Sequence, residues 1–178
     1  MRLFVAILFP AEAVDHLVDV QSCLKNHAIQ GSFPPRENIH LTVAFLGDVE
    51  APKLHAIKEA MRRVSIASFS LLLTDAGSFK TADGRLYWLG VKKNDQLDTL
   101  YEELTQGLRA GNVRYDDKEF KPHVTLGREV VLKDDFDLAK YNLTLPPMRV
   151  DVEKIALMRS DRVDGVVQYR EVASRHLP

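Results

Sequence analysis

His40-Leu41-Thr42-Val43 and His123-Val124-Thr125-Leu126 set an imidazole and a hydroxyl two positions apart, twice in one chain. Both runs are rich in β-branched and apolar residues, which favours strands whose side chains alternate between two faces. Strict alternation gives His40, Thr42 and Ala44 one face and sends Leu41 and Val43 into a core. In the second run His123, Thr125 and Gly127 share a face, while Val124 and Leu126 turn inward. Histidine titrates near neutrality, so a facing pair can supply a neutral base and a charged acid to one site. Phosphodiester cleavage needs that division of labour. One imidazole takes a proton from water and the other gives one to the departing ribose oxygen. Threonine hydroxyls donate to the non-bridging oxygens, where charge builds, and small Ala44 and Gly127 leave room for the phosphorus. A single His-x-Thr arises readily by chance; the tandem pair, each followed by a small residue, is the specific signal.

The elements that must position these residues are legible in outline. Leu3 to Phe9 is a nearly continuous apolar run, as in a central strand covered on both faces. After Pro10, Val14, Leu17, Val18 and Leu24 recur at helical spacing from Ala11 to Ala28. Gln30 to Glu37, with Gly31, Pro34 and Pro35, reads as a surface loop leading into the first motif strand, Ile39 to Leu46. Pro52 opens a helix with Leu54, Ile57, Met61 and Val64 on one stripe. Phe69 to Ala76 and Arg85 to Val91 read as strands, with a turn at Ala82-Asp83-Gly84. Asn94 caps a helix carrying Leu97, Leu100, Tyr101, Leu104 and Leu108, with Asp95 and Asp98 in its first turn and Gly111 closing it. The second motif strand runs from His123 to Val131, with Pro122 leading into it. Strands at Val150 to Ser160 and Val166 to Val172 follow, joined by Asp164-Gly165. The motif histidines lie nearly half a chain apart. This spacing predicts an α+β duplication with pseudo-twofold symmetry: one bilobal domain over residues 1–178, with the motif strands near the axis.

Composition bounds the function. With 24 basic and 25 acidic residues and a net charge of -1, the chain does not suit a broad grip on nucleic acid; an RNA substrate is held at its end by a local cluster. Cys23 is the single cysteine, so no intrachain disulfide or cysteine metal cage is expected, and a reducing cytoplasm fits. Arg2, its apolar run and Ala11-Glu12-Ala13 superficially resemble a signal peptide. The apolar stretch is too short for one and reads as a buried strand. No run approaches the length of a membrane span.

The residues His-Leu-Thr-Val…Phe-Leu-Gly and Pro-His-Val-Thr-Leu-Gly-Arg resemble the two-histidine phosphoesterase superfamily, and best its RNA 2′,3′-cyclic phosphodiesterase branch, also called the 2′-5′ RNA ligase family. The resemblance extends over the whole chain, including Tyr169 in the closing strand. It implies two antiparallel sheets around a central cleft with helices on the outer faces, no metal and no cofactor. It also implies hydrolysis of a terminal 2′,3′-cyclic phosphate to a 2′-phosphate. His40 then takes the role of proton donor, His123 that of proton acceptor, and Thr42 and Thr125 bind the phosphate. The expected partners are RNA ends or small nucleotide cyclic phosphates, met by a cytoplasmic monomer with no membrane association. Arg128 matches an arginine implied to contact phosphate, yet strict alternation puts it on the face opposite His123. Either the strand is bulged or ends near Gly127, which glycine permits, or Arg128 is a solvated edge charge. The same position in the first motif is Phe45.

Other candidates are weaker. His16, His27, His55 and His176 lack ligand spacing and read as surface or packing residues. Asp116, Asp117 and Glu119 suggest a solvated loop more than a cation site. Arg36, Lys80, Arg85 and Lys121 are candidates for holding an RNA backbone. Three competing readings remain. The first is a module that binds RNA ends without turnover, although Arg and Lys would serve that purpose more simply. The second is a metal-dependent hydrolase, which requires a further protein ligand. The third keeps the mechanism with another substrate: a 2′-5′ oligonucleotide, a cyclic ADP-ribose phosphate, or a phosphodiester made in the ligase direction.

Overall fold

The computed structural model describes residues 1–178. The chain runs β1 (Arg2–Ile7), α1 (Ala11–Asn26), β2 (Ala28–Ser32), β3 (Leu41–Asp48), α2 (Leu54–Arg62), β4 (Phe69–Lys80), β5 (Arg85–Val91), α3 (Asp95–Ala110), β6 (His123–Leu132), α4 (Leu138–Asn142), β7 (Met148–Val152), β8 (Lys154–Val163) and β9 (Val166–His176). The expected α+β architecture is present. Every strand pairing is antiparallel, in the order β7-β4-β5-β6-β3-β1-β8-β9, with β2 alongside β6. Each half contributes four strands to that order, and the motif strand of each is innermost. The halves meet through a single bridge, Leu41 to Val124. The two expected sheets are therefore hydrogen-bonded into one curled sheet of nine strands with a thin joint.

One face of the sheet is covered by helices. Leu17 and Leu24 of α1, Ile57 and Met61 of α2, and Leu97, Leu100, Leu104 and Leu108 of α3 join Leu3, Val5, Ile7 and other strand residues in a cluster of 36 buried residues. A leucine fully removed from water contributes about 1.5–3 kcal/mol, so these stripes fasten the helices to the sheet. The cap predicted for α3 forms: the Asn94 side chain accepts from the Leu97 N–H at 2.9 Å. The opposite face carries only a small cluster of Phe4, Ala6, Ala156 and Met158, with Leu8, Phe45 and Tyr169 packed on it. That face is left free for a ligand.

Two expected elements differ. Part of the Gln30 to Glu37 loop is strand, because β2 adds to the edge of β6 as far as Ser32. The run Val150 to Ser160 is two strands. β7 pairs with β4, whereas β8 pairs with β1 and β9, and Glu153 alone separates them. The sheet curls until its two halves meet again at this end, where the Ser68 N–H donates to the Pro178 carbonyl at 2.9 Å. The Asp164-Gly165 turn joins β8 to β9 as expected, with φ of 50° and 80°. Positive φ at both positions gives the twist that a tight hairpin needs.

Candidate active site

The two motif histidines are held in the same way. The Nδ1–H of His40 donates to the Asn38 carbonyl at 2.7 Å, and the Nδ1–H of His123 donates to the Lys121 carbonyl at 2.6 Å. A carbonyl only accepts, so each Nδ1 carries the hydrogen and each Nε2 is left for chemistry. The Nε2 of neutral His40 accepts from the Thr42 hydroxyl at 2.9 Å. The Nε2 of His123 has no protein partner. Extending the antiparallel register one residue either side of the Leu41–Val124 bridge sets His40 across from Thr125 and Thr42 across from His123. The thin joint thus brings the two motifs together.

Beyond each threonine the strand is bulged. Ala6 pairs with Thr42 but Val5 pairs with Ala44, so an extra residue turns Ala44 into the core and brings Phe45 to the free face. The second motif does the same: Trp88 pairs with Thr125 but Tyr87 pairs with Gly127. Gly127 is turned inward, where a Cβ would lie 2.8 Å from Val130 Cγ2 and 2.9 Å from the Phe33 ring. The expectation that Ala44 and Gly127 open the cleft is therefore corrected. They are small because they face the crowded side of a bulge. The same shift is the bulge that the sequence allowed near Gly127, and it brings Arg128 into the cleft beside His40 and Thr42. A second irregularity at Glu129, whose φ is 50°, restores the alternation by Val130. The Glu129 carboxylate accepts from the Thr81 hydroxyl at 2.9 Å and the Asp83 N–H at 3.0 Å.

A cavity of about 650 Å³ on this face is lined by His40, Thr42, Phe45, Arg128, Arg2 and Tyr169, among others. Aromatic rings wedge the imidazoles. Tyr169 meets His40 edge-on with centroids 5.3 Å apart, and Phe79 meets His123 at 5.5 Å. Phe4 lies 4.8 Å from His40. Burial pushes both histidines below the ordinary value. The tethering carbonyls of Asn38 and Lys121 oppose that shift, while the Arg128 guanidinium reinforces it at both; His123 adds to it at His40.

The remaining candidates fall elsewhere. Arg36 is paired with Asp15 at 2.7 Å, and Arg85 donates to the Ser78 hydroxyl at 2.6 Å. Lys121 serves through its carbonyl, and its ammonium pairs with Glu119 at 3.3 Å. Lys80 is exposed at the end of β4. The Nδ1–H of His27 donates locally to the Cys23 carbonyl at 2.8 Å, and His55 and His176 are exposed. No three His, Cys, Asp or Glu side chains converge as a metal site, at Asp116, Asp117 and Glu119 or elsewhere. Asn38, Phe4, Phe79, Arg162 and Glu129 were not singled out by sequence. Two of the contributions they and Lys121 make come from backbone carbonyls, which every residue possesses.

A family model described as the 2′-5′ RNA ligase superfamily matches residues 10–164. The chain belongs to the 2′-5′ RNA ligase superfamily. Within it, the chain is 33% identical over 163 residues to the RNA 2′,3′-cyclic phosphodiesterase of Thermotoga maritima, covering 90% of this chain and 87% of that relative. It is 33% identical over 155 residues to the enzyme of the same name from Escherichia coli K12, covering 82% of this chain and 77% of that one. The crystal structure of E. coli LigT complexed with 3′-AMP superposes with a TM-score of 0.79 at 27% identity, over 99% of this chain and 97% of that one. The superfamily match ends at Asp164, so β9 with Tyr169 lies beyond it.

Proposed function

We propose that this chain hydrolyses the terminal 2′,3′-cyclic phosphate of RNA to a 2′-phosphate, with His40 as proton donor, His123 as proton acceptor and no metal ion. The observation that carries this reading is the matched pair of Nδ1 tethers, which leave both Nε2 atoms for proton transfer. The names of the Thermotoga and E. coli relatives support the substrate. The Nε2 of His123 takes a proton from water, whose oxygen attacks phosphorus. The bond from phosphorus to O3′ breaks, and His40 gives its Nε2 proton to that oxygen. The products are a 2′-phosphomonoester and a free 3′-hydroxyl. Thr42 and Thr125 donate to the non-bridging oxygens, and Arg128 offsets their charge. Thr42 must turn its hydrogen from His40 toward the phosphate as His40 becomes charged. Burial, with the charges of Arg128 and His123, disfavours the imidazolium, and the anionic phosphate restores it on binding.

The same reading treats residues 1–178 as one bilobal unit acting as a monomer in the cytoplasm, in keeping with the free Cys23. No helix is long and apolar enough to cross a membrane. The test is to offer an RNA oligomer with a 2′,3′-cyclic end in excess EDTA and to identify the product with 2′- and 3′-specific phosphatases. A 2′-phosphate is expected. Loss of activity in EDTA, a 3′-phosphate, or conversion only when a 5′-hydroxyl strand is present would each overturn the reading.

A further inference from the structure

We propose that the site takes the last two nucleotides of an RNA chain, holding the penultimate nucleoside in a second cavity beside the one that contains His40. This rests on the cyclic phosphodiesterase reading and adds the minimum length of its preferred substrate. The second cavity has a volume of about 450 Å³ and shares Arg128, Arg162, Val167 and Tyr169 with the first. It holds no histidine and no acidic residue. Its own walls include Phe33, Pro34, Pro35 and Val166, apolar surfaces that suit a base and a ribose, with Ser32, Asn38 and Gly165 between them. Val166, at the tip of the β8–β9 hairpin, is 57% exposed, so the wall is uncovered.

The neck between the cavities carries two guanidinium groups: Arg128, which borders the neck while offsetting charge on the terminal phosphate, and Arg162, which is left to the next phosphate. Neither Arg128 nor Arg162 is paired with a carboxylate, and Arg162 has a single long hydrogen bond, to the Gly165 carbonyl at 3.4 Å. The chemistry that matches such a neck is a phosphodiester monoanion. In an RNA end, that group joins the terminal nucleoside to the one before it. Asn38 ties the two cavities into one frame. Its carbonyl holds His40, and its side-chain amide donates to the Val167 carbonyl on β9 at 3.0 Å. A nucleoside seated against Val166 and Phe33 is therefore in register with the histidine that faces the terminal ribose.

The test is calorimetric binding of three product-like ligands to the whole chain: a nucleoside 2′-monophosphate, the same nucleoside 2′,5′-bisphosphate, and a dinucleotide ending in a 2′-phosphate. The bisphosphate supplies the neck charge without the second nucleoside. Affinity should rise in that order, with the dinucleotide at least about tenfold tighter than the monophosphate. Val166→Asp, on an exposed side chain, should narrow the dinucleotide advantage, and Val166→Lys should keep or widen it. Equal binding of bisphosphate and dinucleotide would overturn the second subsite, as would an advantage indifferent to the sign of the charge at position 166. Hydrolysis of the corresponding cyclic phosphates, followed in parallel, separates the two proposals. Turnover with no preference for the dinucleotide sinks the subsite alone. Tighter dinucleotide binding without turnover of either sinks the reaction alone, and absence of binding by all three sinks both.

Discussion

Arg128 reaches the cleft only because β6 is bulged, and the bulge stands on Glu129. A residue other than glycine in the left-handed region costs roughly 1–2 kcal/mol, and Glu129 occupies it with φ of 50°. Against this stand the two hydrogen bonds its carboxylate accepts from Thr81 and Asp83. Bonds to a charged group contribute about 1.5–3 kcal/mol when well shielded; both sites here are partly open to water, so about 1 kcal/mol each is a fair value. Glu129→Ala keeps the backbone cost and loses both bonds. The bulged register then weakens by about 2 kcal/mol, which is about 30-fold in its equilibrium constant. Arg128→Ala should lower kcat/KM for the cyclic end by about 10²-fold, the scale of one group that stabilises transition-state charge. Glu129→Ala should fall between wild type and that variant, about tenfold down. Glu129→Gly should suffer less, because glycine removes the backbone cost. Since the Arg128 charge holds both histidines down, displacing it should move both limbs of the pH–rate profile to higher pH. Steady-state kinetics across pH on all three variants decides the matter. Wild-type kinetics in Glu129→Ala, or a lower rate with an unshifted profile, would reduce Glu129 to a structural residue.

The histidines also link stability to pH. Both have folded values below the ordinary 6.5, so between those values and 6.5 the unfolded chain binds more protons. Stability should be level above that window and fall as pH drops through it; a doubly substituted His40→Gln, His123→Gln chain should lose less, by thermal melts at matched pH, and equal losses would contradict the assigned burial effect. Thr42→Val and Thr125→Val should each lower turnover by about 10²-fold with little loss of stability; wild-type turnover in both would make the hydroxyls structural. On an activated aryl phosphodiester, whose leaving group needs no proton, His40→Ala should recover much of its deficit while His123→Ala should not, and the reverse pattern would exchange their roles. On the natural cyclic end each should lose about 10²- to 10⁴-fold.

Features of this protein that depend on neighbouring residues in the chain were legible in the sequence. The Asn94 cap, the Asp164-Gly165 turn and the leucine stripe of α3 each follow from the shape or hydrogen-bonding capacity of residues within a few positions. The doubled His-x-Thr was equally plain, because alternation over three residues does not require knowing the partner strand. Alternation failed at the fifth and sixth positions. Whether Ala44 and Gly127 face the ligand or the core depends on the register of β3 against β1 and of β6 against β5, contacts between segments far apart in the chain. The break at Glu153 was hidden for a similar reason. Its flanks carry one continuous strand-like pattern, and only pairing with β4 on one side and with β1 and β9 on the other divides it. Side-chain types told which atoms could move protons. Which nitrogen of each histidine is free was decided by the carbonyls of Asn38 and Lys121, and a carbonyl is the same in every residue until the fold aims it.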